Sequence, residues 1–237
     1  LREANEKLTR VSLQKDAFLS QISHELRTPM TSILAFAEIL RDGGAGPHEA
    51  GTRYAAIIHE ESLRLTRLLD DLLDLSVLEN GQVNLNTSGV HLSKLVKRSV
   101  ATVLAGAATP SLHVDLMISE SLPQVETDAD RLGQVFINLV ANARKYCDAT
   151  APHLKIVSSR AGNFIYLDFI DNGSGVPKDA QDMIFEKFSR IGQNKAGGAG
   201  LGLAICREIM TRLGGDISYL PGQGGGAFRV VLPVELA

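Results

Sequence analysis

The feature that most constrains this chain is a change of hydrophobic period near residue 86. Upstream, apolar residues recur at spacings of three and four over two long stretches, the pattern of amphipathic helices. Downstream, short segments of mixed period are separated by glycine-bearing turns, the pattern of a domain that mixes helices with a sheet. A chain of 237 residues has room for two small domains, so the change of period reads as the boundary between them.

From Leu1 to about Arg41 the chain reads as one helix, closed by Asp42-Gly43-Gly44. Leu1, Ala4, Leu8, Val11, Phe18 and Ile22 fall near heptad positions, so residues 1–17 read as a coiled-coil entry, interrupted at Lys15. Leu19, Ile22, Leu26, Met30, Ile33, Ala37 and Leu40 then form one apolar face. A second helix, from about Glu49 to Leu78, carries Tyr54, Ile58, Glu61, Leu65, Leu68, Leu72 and Leu75 on one seam and stops at Asn80-Gly81. Joined by a short turn, the two helices make an antiparallel hairpin over residues 18–86 whose apolar surface is wider than one partner covers. It is satisfied either by pairing two hairpins into a four-helix bundle, a homodimer, or by docking on the chain's own second domain.

Residues 87–237 predict a helix near Leu92–Leu104, a strand at Leu112–Ile118 and a helix at Asp128–Tyr146. A hairpin of Leu154–Ser159 and Phe164–Ile170 turns at Ala161-Gly162-Asn163, a helix starts near Leu201, and two strands close the chain around Pro221–Gly226. The fold class is α+β in two domains: the helical hairpin, then a sandwich with helices on one face of a mixed sheet. A net charge of −3 gives no nucleic-acid footprint, and no apolar run approaches the length of a membrane span. Cys147 and Cys206 form no metal-ligand cluster, which suits a reduced, cytoplasmic protein without membrane contact in this stretch. Because the chain opens inside a helix-forming segment, an upstream region that could tether it to a membrane is expected.

Several residue patterns carry chemistry. His24 lies two residues past Ile22, roughly 200° around the helix from the apolar face, so it points to water. Pro29 removes a backbone donor and crowds the carbonyl of Glu25, which should bend the helix beside that histidine. Asn138 and Asn142 stand one turn apart on one helical face, with Lys145 a turn further. An amide oxygen is a hard neutral ligand suited to Mg²⁺, and a lysine is a point charge for phosphate. Asp171-Asn-Gly173-Ser-Gly175 follows an apolar strand, and Gly197-Gly198-Ala-Gly200-Leu201-Gly202 runs into an apolar helix, whose first N–H groups can cradle an anion. Taken singly, each has a plain alternative: a solvated histidine, two surface asparagines, a turn, a glycine-rich helix entry.

Together and in this order, the motifs resemble the catalytic core of bacterial sensor histidine kinases. Phe18–Met30 resembles the phosphoacceptor box, Asn138–Tyr146 the N box, Asp171–Pro177 the G1 box, Phe185–Arg190 the F box and Gly197–Cys206 the G2 box. The resemblance implies that His24 accepts the γ-phosphate of ATP, that Glu25 is its base, and that Thr28 helps orient water for dephosphorylation. It implies that Asn142 holds Mg²⁺, that Asn138 and Lys145 line the phosphates, and that Tyr146 flanks the nucleotide. Asp171 would accept from the adenine amine, with Gly173 and Gly175 letting backbone approach the base. Gly198, Gly200, Leu201 and Gly202 would cradle phosphate, and Arg190 and Lys195 could reach it from a lid at Ser189–Ala199, expected to be mobile without nucleotide. Ala199 departs from the pattern, which commonly has threonine or serine there. The implied partners are a second copy of the chain and a response-regulator receiver domain, with no nucleic acid. Two rivals stay open: a scaffold that binds ATP without catalysis, and a chaperone ATPase or serine kinase sharing the nucleotide fold.

Overall fold

A computed structural model describes residues 2–43, 48–79, 84–105, 112–189 and 199–234. The chain divides into two compact units, and the main boundary falls inside the second helix, between Leu73 and Asp74.

The first unit is built from α1 (Arg2–Arg41) and most of α2 (His48–Glu79). Phe36 stacks on Tyr54 with ring centroids 5.3 Å apart, and Arg64 reaches Glu25 at 3.8 Å. Rising numbers on α1 thus meet falling numbers on α2, as an antiparallel hairpin requires. The α2 seam faces inward, with Leu68 only 5% exposed. Much of the remaining apolar surface has no cover: Leu34 is 61% and Leu73 65% exposed, and Leu19, Met30, Leu63 and Leu69 are also exposed. Helix α1 continues through Pro29, which is buried. The hydroxyls of Ser23, Thr28 and Thr31 each donate to the carbonyl four residues back, an arrangement that competes with the helix ladder and favours bending around this proline.

The second unit begins with the last turns of α2. Leu75 and Leu78 are buried, and the Asp74 carboxylate accepts from Arg131 Nη1 at 3.3 Å and Gln134 Nε2 at 2.8 Å. Glu79 pairs with Lys187, and its carbonyl accepts from Arg212 Nη2 at 3.4 Å. Next come β1 (Thr87–Val90), α3 (Leu92–Ala105), β2 (His113–Met117), β3 (Val125–Asp128) and α4 (Ala129–Tyr146). They are followed by β4 (His153–Ala161), β5 (Phe164–Asp171), α5 (Gly202–Arg212), β6 (Asp216–Tyr219) and β7 (Ala227–Pro233). The main sheet has the order β2-β4-β5-β7-β6, with β2 parallel to β4 and the other pairs antiparallel. A separate two-stranded sheet pairs β1 with β3.

Alternation along the strands decides which face is covered. Leu154 and Ile156 of β4, Ile165, Leu167 and Phe169 of β5, and Val230 and Leu232 of β7 are all buried. The helices supply their partners, as where Phe136 of α4 meets Phe169 at 5.6 Å between ring centroids. Burying a large apolar side chain is worth roughly 1.5–3 kcal/mol, so this layer dominates the stability of the unit. Polar pairs occupy the other face, such as Arg229 with both oxygens of Asp168 at 2.7 Å. Among the described residues no helix is long and apolar enough to cross a membrane.

The two short strands β1 and β3 have no counterpart in the sequence reading. Each is four residues long and they pair across residues far apart in the chain, so neither has room for a readable alternation.

Candidate functional site

Helix α4, the loop after β5 and the start of α5 position most of the candidate residues of the second unit. Asp128 starts α4 at the expected place by accepting from Asp130 N and Arg131 N, both at 3.0 Å, and its other oxygen accepts from Asn86 N at 2.9 Å. The buried stripe Leu132, Val135, Phe136, Leu139, Val140 and Ala143 then fixes the rotation of the helix. That rotation leaves Asn138 and Asn142 half-buried, on neither the core nor the solvent side. Asn138 Nδ2 lies 3.7 Å from Cys206 Sγ on α5, and a β-carbon placed on Gly202 would meet the Asn138 amide at 3.8 Å. The asparagine pair and the glycine-led helix start are therefore neighbours. The Asn142 side-chain amide makes no hydrogen bond among the described residues, so it is available to a ligand. Lys145 lies 4.7 Å above the ring of Tyr146, which is half-exposed at the helix end.

Asp171 is the last residue of β5, and its two oxygens have different surroundings. Oδ1 accepts from the N–H of Gly173 at 2.8 Å and of Gly226 at 3.0 Å. Oδ2 makes no hydrogen bond among the described residues. Burial pushes this carboxyl above the usual carboxylate range, against the two backbone hydrogen bonds that pull it down, and the charge of Asp148 adds to the rise. A β-carbon on Gly226 would strike Asp171 Oδ2, and one on Gly225 would strike its carbonyl oxygen, so only glycine lets the turn before β7 close on this residue.

The loop itself is clasped by residues to which the sequence reading assigned no role. Asn172 Oδ1 accepts from His153 N at 2.8 Å and from Cys147 Sγ at 3.1 Å, while Nδ2 donates to the Ala151 carbonyl at 3.0 Å. Asp148 accepts from Ser174 N at 2.7 Å, a bond that holds its carboxyl below the usual range. The Tyr219 hydroxyl accepts from Val176 N at 3.0 Å, next to Gly175 with φ +73°. These contacts join positions distant in sequence, and only the Asp-Asn-Gly triplet itself hinted at them.

At α5, Leu201 is fully buried and its carbonyl receives Ile205 N at 2.9 Å. No side chain caps this helix start, so its first N–H groups keep their donor capacity for an anion. Gly200, with φ +72°, lies where a β-carbon would come within 2.7 Å of the Ser189 carbonyl. The chain before the lid and the chain after it thus pass in contact at that glycine. Arg190, Lys195 and Gly198 lie outside the described residues, as does most of the predicted lid.

In the hairpin His24 is exposed, and the Thr28 hydroxyl donates to its carbonyl at 3.3 Å. Glu25 is buried, with Oε2 at 3.8 Å from Arg64 Nη2. Adjacent on the helix, the imidazole and the carboxylate therefore have opposite surroundings.

Two family models match this arrangement in the expected order. Residues 14–81 match the His Kinase A (phospho-acceptor) domain, and residues 127–236 match the histidine kinase-, DNA gyrase B- and HSP90-like ATPase domain. The chain belongs to the sensor histidine kinases and forms their catalytic core. It is 36% identical to the sensor protein KdpD of Escherichia coli over 225 residues, 94% of this chain and 25% of that protein. The fold is similar to the histidine kinase AdeS of Acinetobacter baumannii, with TM-score 0.72 and 28% identity over 89% of this chain and 98% of that one. It is also similar to full-length ShkA in complex with AMPPNP, with TM-score 0.67 and 26% identity over 93% of this chain and 46% of that one. The chain spans 25% of KdpD and 55% of a Staphylococcus aureus WalK sequence, so it corresponds to part of such proteins.

Proposed function

We propose that this core transfers the γ-phosphoryl group of ATP to His24 and then to an aspartate on a response-regulator receiver domain. Residues 18–86 would dimerise and carry the phosphate, entered by residues 1–17, and residues 87–237 would bind ATP. The observation that carries the reading is the asymmetry of Asp171. One oxygen is pinned by two backbone N–H groups and the other is open, which suits a carboxylate that accepts from the adenine amine. A guanine carbonyl in the same place would face negative charge instead.

The remaining residues follow by position. Asn138, Lys145, Arg190, Lys195 and the backbone of Gly198, Gly200, Leu201 and Gly202 would hold the phosphates, and Tyr146, Gly173 and Gly175 the base. Asn142, whose neutral amide oxygen makes no hydrogen bond among the described residues, fits Mg²⁺, which would neutralise phosphate charge. A neutral His24 nitrogen attacks the γ-phosphorus, the bond to the bridging oxygen breaks, and ADP leaves. Glu25, buried beside Arg64 while His24 is exposed, would lean towards the imidazole to receive the proton of its other ring nitrogen. Thr28, one turn from His24, would orient water when the core removes phosphate from its partner. The exposed leucines of α1 and α2 support a second copy as the cover for the hairpin.

Incubation with γ-labelled ATP and Mg²⁺ tests this. An acid-labile, alkali-stable label that is absent from His24→Gln is expected. Label that survives acid, or that persists in His24→Gln, would overturn the assignment.

A further inference from the structure

His113, Asp115 and His153 form a cluster on the face of the main sheet that the helices leave open. Strands β2 and β4 run parallel with His113 opposite His153, and Asp115 lies two residues on, pointing to the same face. The two imidazoles stack with centroids 5.3 Å apart. The Asp115 carboxylate bridges them, with Oδ1 at 3.3 Å from His113 Nε2 and Oδ2 at 2.9 Å from His153 Nε2. One ligand atom from each residue lies within 4.8 Å of the other two.

We propose that these three residues bind a divalent transition-metal ion, of which Zn²⁺ is the representative. Two imidazoles and one carboxylate are the donor set of borderline metals and a poor one for Mg²⁺, so the cluster does not duplicate the nucleotide's cation site. Metal bonds of roughly 2.0–2.2 Å place tetrahedral donors about 3.3 Å apart; the carboxylate already lies near that separation from each imidazole, and all three ligand atoms lie within 4.8 Å of one another, so side-chain rotation closes the remainder. Paired strands fix the three backbone positions before metal arrives, so little ordering is left to oppose binding. Lys155, opposite Asp115 in the register and exposed, is the one cationic neighbour on that stretch of the strand pair. Three protein ligands leave the fourth position open to water or to a group from another molecule. A bound ion would staple the edge strand β2 to β4.

The tag-free full chain is titrated with Co²⁺ and Zn²⁺ without nucleotide and with excess Mg²⁺ present. One tightly bound ion per chain is expected, with Co²⁺ visible absorption, displacement by Zn²⁺ and a rise in melting temperature. Loss of an outer partner of a metal ligand typically weakens binding 10–100-fold, so His113→Gln or His153→Gln should raise Kd at least about tenfold. His91→Gln, a separate exposed histidine, should leave binding unchanged. All three substitutions are on exposed or half-exposed side chains, and circular dichroism checks that each variant folds. Equal Co²⁺ affinity in the His113→Gln/His153→Gln variant and the parent chain would overturn the site, as would absence of binding by the parent chain.

Discussion

The helical hairpin and the sheet domain solve the same problem, covering leucines, in different ways. In the sheet domain the buried face packs against helices of the same chain, as Phe169 does against Phe136, and Leu132, Phe136, Leu154, Ile165, Leu167 and Leu232 are almost fully covered. In the hairpin Leu34, Leu63, Leu69 and Leu73 keep between 45% and 65% of their surface. One region is complete by itself, while the other has a face still to be covered. The difference matches the proposed division of labour. A closed domain can hold a nucleotide site to fixed geometry, whereas a face covered by a second copy, as proposed, would place two phosphoacceptor helices in one assembly.

The largest effects should come from residues that separate the two roles. His24→Gln should reduce labelling to background while ATP affinity stays within about twofold of the parent, because the substitution leaves the sheet domain untouched. Asn142→Asp should also stop labelling, and there ATP or Mg²⁺ binding should change. Equilibrium binding of a fluorescent ATP analogue, measured beside the labelling assay, distinguishes the two outcomes.

Next in size is the hairpin face. Burial of one leucine is worth roughly 1.5–3 kcal/mol, counted once per protomer, so Leu34→Glu should weaken a dimer by about 10²–10⁴-fold while the helices persist. Leu68→Glu should instead unfold the hairpin, because that side chain is already buried within one chain. Sedimentation equilibrium with circular dichroism reads both. A monomeric parent chain at micromolar concentration would break the comparison.

Smaller again is the placing of the boundary. Leu75, Leu78 and Asp74 pack with the second unit, so a fragment starting at residue 74 should be more stable than one starting at residue 87. The two buried leucines alone contribute at most roughly 3–6 kcal/mol to the difference, which urea unfolding measures. Equal midpoints and slopes for the two fragments would assign those turns to the hairpin alone.

The smallest effect concerns Asp171. Its carboxyl is raised in the folded chain, chiefly by burial, so the folded state keeps this proton to a higher pH than the unfolded state. Below the unfolded value the group is protonated in both states and contributes nothing. As pH rises towards the folded value it increasingly disfavours folding, and the penalty is full above that value. Asp171→Asn removes this penalty, so the variant's melting temperature minus that of the parent should grow from pH 4 to pH 7 without nucleotide. ATP binding should weaken in the same variant. A difference that shrinks as pH rises would contradict the assigned cause.

Sequence legibility followed the range of the interactions. The two hairpin helices, α3, α4 and the β4–β5 hairpin are local periodic patterns, and α4 ends at Tyr146 as expected, with Asp128 as its cap. The 3.6-residue repeat likewise placed His24 in water and the two asparagines on one face. What could not be read depends on tertiary approach: the parallel pairing of β2 with β4, the β1–β3 pair, and the Arg64 partner of Glu25. Gly225 and Gly226 read as an ordinary turn until the fold brings Asp171 against them. Composition says which residues tolerate a close contact, but not which contact will form.

The central claim is that nucleotide recognition is complete in the sheet domain while the phosphate acceptor lies in the hairpin. The most direct measurement follows γ-labelled ATP on the fragment 74–237 beside the full chain. The fragment should be a monomer that binds ATP with the affinity of the full chain and takes no covalent label, while the full chain is labelled on His24. A fragment that labels itself, or one that folds but fails to bind ATP, would contradict the account.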